Sequence, residues 1–129
     1  MSEARQLIIC ISHLPYRELS PNSREHFMVK ARAVKASREE IGWLAKIEWR
    51  YKYGDAKPME KARISFDFHT KDKRRRDPDN LLAQVKSWID GLIDVGVIFY
   101  DDADHLQIGS VRVIPDTTEE TIITVEEVL

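Results

Sequence analysis

The sequence predicts an α+β domain built on a small mixed sheet of about four strands with two long helices, in the order β-α-β-α-β-β. Three observations carry that prediction. Ala62, Ile64, Phe66 and Phe68 alternate with Arg63, Ser65, Asp67 and His69, the period-2 signature of a strand with one buried face. Two stretches, one from about Ser23 and one from Asp79, repeat apolar residues at three- and four-residue spacing. The 129 residues contain five Gly, five Pro, no internal repeat and no Ser/Gly-rich linker, so residues 1–129 read as one domain.

Each element follows from its residues. Leu7, Ile8, Ile9, Cys10 and Ile11 form a short apolar run, consistent with a mostly buried strand, and Cys10 reads as a small buried hydrophobe. Pro15 and Pro21 mark the loop that follows. In the first helix Phe27, Ala31, Val34, Ile41 and Ala45 form the apolar stripe, with Arg38 interrupting it, and Gly54 and Pro58 lie beyond its end. After the alternating strand, Asp77-Pro78-Asp79-Asn80 suits a helix start, with Asp77 as N-cap and Pro78 in the first turn. Leu82, Val85, Ile89 and Leu92 supply its buried face, with Gly91 or Gly96 as its end. Gln107–Pro115 and Thr121–Leu129 read as two further strands joined by a turn, with a bulge at Gly109-Ser110 where the apolar parity shifts.

Composition excludes several classes. No apolar run approaches the roughly 18 residues of a membrane span. The N-terminal residues lack a long apolar segment and a small-residue cleavage site, so no signal peptide is expected and the cytoplasm is the expected location. One cysteine allows neither an internal disulfide nor a Cys-rich zinc site. The net charge of −2 conceals a strong polarity. Residues 1–76 hold 18 Lys and Arg against 10 Asp and Glu, and residues 77–129 hold 2 against 12. A basic surface for a polyanion beside an acidic cluster for a cation fits this pattern, and so do two solvated charged faces.

The acidic residues are Asp77, Asp79, Asp101, Asp102 and Asp104. Carboxylates without a His/Cys set favour a hard divalent cation, Mg²⁺ before Zn²⁺. With a nearby Lys and a basic strip they make a phosphodiesterase-like set. Helix capping at Asp77 and Asp79 and a turn at Asp101-Asp102 explain the same residues without a metal. A helix over Asp79–Asp94 is about 24 Å long. Val95–Asp101 spans at most roughly 23 Å, so the return to Asp77 is tight and eases if the helix ends near Gly91.

The segment Arg74-Arg75-Arg76-Asp77-Pro78-Asp79-Asn80-Leu81, then Ile89-Asp90-Gly91-Leu92 and Tyr100-Asp101-Asp102, resembles the RusA family of Holliday junction resolvases, in its phage-type members. Ser20-Pro21-Asn22-Ser23-Arg24 before a basic helix is similar to the same members. The resemblance is close over Arg74–Gln107 and looser over about three quarters of the chain. It implies a homodimeric, Mg²⁺-dependent endonuclease, Mn²⁺ being the alternative ion, that nicks opposed strands of four-way DNA junctions in recombination and repair. A two-fold dimer suits such a substrate. It also implies that Asp77, Asp79 and Asp102 are the essential carboxylates, with Asp101 beside them as a further metal ligand. Two departures stand out. The family's usual lysine position is occupied by Ala83, and Lys86, one turn further on, is the replacement candidate. Ala103-Asp104-His105-Leu106 separates the acidic pair from Gln107-Ile108, which makes Asp104 a candidate third carboxylate.

Lys73, Arg74, Arg75 and Arg76, with Arg24, Lys30, Arg32 and Lys35 of the first helix, are the expected DNA-binding residues. His13, His26, His69 and His105 read as exposed or structural histidines, His69 having a second reading as a phosphate contact. Trp88 reads as core or dimer interface, Trp49 with Tyr51 and Tyr53 as packing or base stacking. The rival functions are a non-catalytic branched-DNA-binding protein with a degenerate site and a partner-binding domain whose acids are caps and turns.

Overall fold

The computed structural model describes residues 3–129. Strand β1 (Gln6–Ile11) leads through one 3-10 turn at Arg17–Leu19 to helix α1 (Phe27–Tyr53). Strand β2 (Ala62–Thr70), helices α2 (Pro78–Gln84) and α3 (Lys86–Asp94), and strands β3 (Leu106–Pro115) and β4 (Glu120–Glu127) follow. The strands form one mixed sheet in the order β1-β4-β2-β3. The coarse α+β expectation matches this architecture. Among the described residues no helix is long and apolar enough to cross a membrane.

Strand β4 is the keystone of the sheet. It pairs antiparallel with β1 on one side and with β2 on the other. β3 therefore takes the free edge of β2, in parallel. The Pro115–Glu120 turn joins β3 to β4, but these strands are not neighbours, because the turn arches over the end of β2. Asp116 fixes the arch by donating its backbone N–H to the Thr70 carbonyl at 2.8 Å. The expected bulge is present: Ile64 pairs with Ile108 and Phe66 with Val111, so β3 carries one extra residue over Gly109-Ser110. A Cβ at Gly109 would collide with the Ser65 hydroxyl, which instead accepts from Ser110 N at 3.2 Å.

Alternation sorts the sheet into two faces. Leu7, Ile9, Ile11, Ile64, Phe66, Phe68, Ile123 and Val125 are buried under the helices, where Ile41, Ala45, Trp49, Trp88 and Leu92 meet them. β1 is buried on this face only. Ile8 and Cys10 point to the open side, so Cys10 is exposed rather than a core hydrophobe. Trp49 and Trp88 are core residues, and Tyr51 is solvent-exposed.

Both helices differ from the sequence expectation. α1 begins at Phe27, after His26, whose Nδ1 accepts from Met28 N at 3.2 Å. Its expected stripe works only from Ser37 onward, because the first ten residues of α1 extend past the sheet and leave Phe27 69% exposed and Val34 uncovered. Arg38 is not a break in the pattern but a tie, donating to both Asp94 carboxylate oxygens at 2.9 and 2.7 Å. The second helix is two helices. The chain leaves helical geometry at Val85 (φ −92°, ψ 0°), with no Pro or Gly between Ala83 and Ser87 to signal it.

α1 and α3 cross at Gly91. A Cβ there would press on the Ile41 side chain and come within 2.8 Å of the Arg38 carbonyl oxygen. Gly91→Ala is therefore expected to destabilise the fold by about 1–3 kcal/mol through overpacking, outweighing alanine's helix propensity. Urea denaturation of the variant against the parent protein checks this, and an unchanged or raised midpoint would contradict the close crossing.

Candidate acidic site

The site lies in the crossover between β2 and β3. Leaving β2, the chain forms a basic loop held by Asp72. Arg76 donates to the Asp72 carboxylate at 2.8 and 3.2 Å, and Arg74 N donates to it at 3.0 Å. The Arg76 guanidinium, followed by the Arg74 amide, lowers the Asp72 pKa to about 2. Arg76 is thus engaged within its own loop. Lys73, Arg74 and Arg75 are exposed and make no ion pair among the described residues. On and before α1, Arg24 and Arg32 are likewise exposed, Lys35 sits 3.9 Å from Glu39, and Lys30 donates to the Ser23 carbonyl at 2.9 Å.

Asp77 caps α2 as its residue type requires. One carboxylate oxygen accepts from Asp79 N at 2.9 Å, with Pro78 in the first turn. Asp79 is exposed in that same turn, where the helix dipole favours its charge. Beyond the break, Lys86 opens α3. Its ammonium donates to Asp90 at 2.6 Å, one turn on, and to Asp101. The chain reaches Asp101 by turning at Gly96 (φ 81°), pairing Ile98 with Met59, and doubling back along α3. Partial burial of Lys86 opposes its charge. The hydrogen bonds to Asp101 and Asp90 outweigh that burial and hold its pKa above the ordinary lysine value.

Asp102 organises the loop ahead of β3. Its Oδ1 accepts from His105 Nδ1 at 2.6 Å, Asp104 N at 3.0 Å and His105 N at 3.1 Å. The His105 hydrogen bond is the main cause of a lowered Asp102 pKa. Asp104 is exposed.

The crossover therefore unites Lys86 with Asp101, while Asp77 with Asp79 and Asp102 with His105 form separate local pairs. Among the described residues no three of these carboxylates bring oxygens within 4.8 Å of one another. The group that does is His69, Asp116 and Glu120. His69 pairs in register with Glu120, and its Nδ1 lies 2.9 Å from Asp116. Sequence reading treats His69 as solitary because its partners arrive through β4 and the arched turn, about 50 residues later. That group sits near the end of β2, whereas Ala62 at the start of β2 bonds the His105 carbonyl at 2.9 Å. Seven residues of strand, about 23 Å, separate the two.

The Asp102 pairing has a pH signature. Its folded-state pKa is depressed below 3.8, so the contribution of the contact is present above that value and is lost as pH falls through the folded pKa. His105→Ala is expected to return the Asp102 carboxyl towards 3.8, read by carboxyl-carbon NMR titration. An unmoved titration would show that His105 does not hold it.

No protein-family model matches the chain, and no curated protein matches it.

Proposed function

We propose that this protein is a divalent-cation-dependent, structure-selective DNA endonuclease acting on branched, four-way substrates as a homodimer, in recombination and repair. The observation that carries the reading is the Lys86–Asp101 ion pair, which lies in the same β2–β3 crossover as the Asp77-Pro78-Asp79-Asn80 helix start and an exposed basic loop. The uncovered apolar residues of α1, Phe27, Met28 and Trp43 among them, support the dimeric part.

The donor chemistry fits the ion. Mg²⁺ commonly takes only one or two protein carboxylates and completes its shell with water and phosphate oxygens, so pairs of Asp suffice without a preformed cage. The Asp77 and Asp79 pair, or the Asp101 and Asp102 pair, would offer the one or two carboxylates that Mg²⁺ or Mn²⁺ needs. Such an ion supplies water acidification and charge neutralisation at the leaving oxygen. Lys86 remains protonated and offers its ammonium to the scissile phosphate, with Asp90 and Asp101 fixing its direction. Lys73, Arg74 and Arg75 bind the DNA backbone through their free charges.

A second reading, a branched-DNA-binding protein without cleavage, draws support from the engagement of Asp102 with His105 rather than with the other carboxylates.

A labelled synthetic four-way junction, with and without Mg²⁺, against a matched linear duplex, separates these readings. Paired, Mg²⁺-dependent nicks confined to the junction are expected. Asp79→Asn should abolish them, and Lys86→Met should slow them about 100-fold. Tight binding with no cleavage in Mg²⁺ or Mn²⁺ would leave only the second reading. Arg74→Ala should weaken junction and duplex binding alike and reduce the salt slope of log K by about one. A slope unchanged by the substitution would remove Arg74 from the interface.

A further inference from the structure

Phe99 and Tyr100 belong to an apolar sequence run, Val97 to Tyr100, that reads as a buried return path. Only Val97 and Ile98 are buried. Phe99 is 52% exposed and Tyr100 56%, and His105 lies against both. The ring centroids are 5.2 Å apart for Phe99 and His105, 6.0 Å for Phe99 and Tyr100, and 6.2 Å for Tyr100 and His105. Three rings thus form one solvent-facing cluster.

The cluster is fastened to the candidate site from both ends. Tyr100 precedes Asp101, which holds Lys86, and His105 is held by Asp102. It also borders unspent positive charge. Ala62 N bonds the His105 carbonyl, which sets Lys61 and Arg63 beside the cluster along the chain. Both are exposed and neither makes an ion pair among the described residues, Arg63 donating only to Gln107 at 3.3 Å. Exposed rings interleaved with free cations match the surface that holds unpaired nucleic acid, where bases stack on aromatic faces and cations follow the phosphates.

We infer that Phe99, Tyr100 and His105 form a stacking platform for a nucleobase unstacked at the DNA branch, with Lys61 and Arg63 on the flanking phosphates. This rests on the nuclease reading above and adds the source of its branch selectivity. A linear duplex keeps its internal bases stacked on both faces, so the platform discriminates by what the substrate exposes. A second copy of the chain is the other candidate occupant. The free cations of Lys61 and Arg63 favour DNA.

The test compares binding of the full-length protein to a four-way junction and to a matched linear duplex, in Ca²⁺ to hold back cleavage. The double variant Phe99→Ala/Tyr100→Ala is expected to lose roughly tenfold or more in junction affinity while duplex affinity changes less than about twofold. Tyr100→Phe, which keeps the ring, should retain junction affinity. 5-Iodouracil placed at the branch should photocross-link to the peptide carrying Phe99, Tyr100 or His105, and iodouracil within an arm should not. Equal loss on both DNAs, or cross-linking elsewhere, overturns the platform. So does a change in sedimentation of the DNA-free double variant, which would mark an interface between copies. A parent protein that binds neither DNA overturns the nuclease reading itself, an outcome distinct from a parent protein that binds the junction without help from these rings.

Discussion

The position of β4 constrains everything else in this molecule. Because β4 fills the slot between β1 and β2, β3 can join the sheet only at the free edge of β2, and it does so in parallel. A parallel pair cannot be closed by a hairpin, so the chain between them must travel the length of the sheet and return to its starting end. Residues 71–105 make that journey. The basic loop, the Asp77 helix start, Lys86, the acidic pair and the aromatic cluster all lie on it. The neighbourhood of the candidate site is a consequence of strand order.

Packing then decides how far the parts approach. The α1–α3 crossing depends on the absence of a side chain at Gly91, and Arg38 with Asp94 closes the crossing at its solvent edge. With α3 held there, the doubling back after Gly96 brings Asp101 to Lys86. The Lys86 ammonium is shared by two carboxylates, which leaves this part of the crossover net negative and keeps the lysine charged. Upstream, Asp72 binds Arg76 and the Arg74 amide, and so stiffens the basic loop at the expense of one of its free cations. Charge in the crossover is thus divided between groups that hold the chain in shape and groups left for a ligand.

The sheet is covered on one side. Its open face carries Ile8, Cys10, the Asp67–Arg112 pair and the His69, Asp116, Glu120 group. Asp67 and Arg112 face each other in register across β2 and β3, a cross-strand pair that satisfies both charges without burial. The helical side is also incomplete. The first ten residues of α1 reach past the core, with apolar and basic residues exposed together.

Local pattern was sufficient wherever one residue's neighbours are its own sequence neighbours. The period-2 alternation of β2, the Asp77 cap with Pro78, the Gly109-Ser110 bulge and the lower part of the α1 stripe were legible for that reason, and so was the charge reversal at Arg76–Asp77. The pairing of Lys86 with Asp101, the spending of Arg76 on Asp72, the exposure of Cys10, Phe99 and Tyr100, the break at Val85 and the partners of His69 were not. Each depends on what lies across a gap in sequence. An apolar residue is buried only if another element covers it, and a carboxylate is a ligand, a cap or a salt-bridge partner according to which group faces it. Local sequence sets the elements and the types of chemical group available. Which groups meet follows from the assembled fold, because the strand order and the Gly91 crossing set distances that no local pattern encodes.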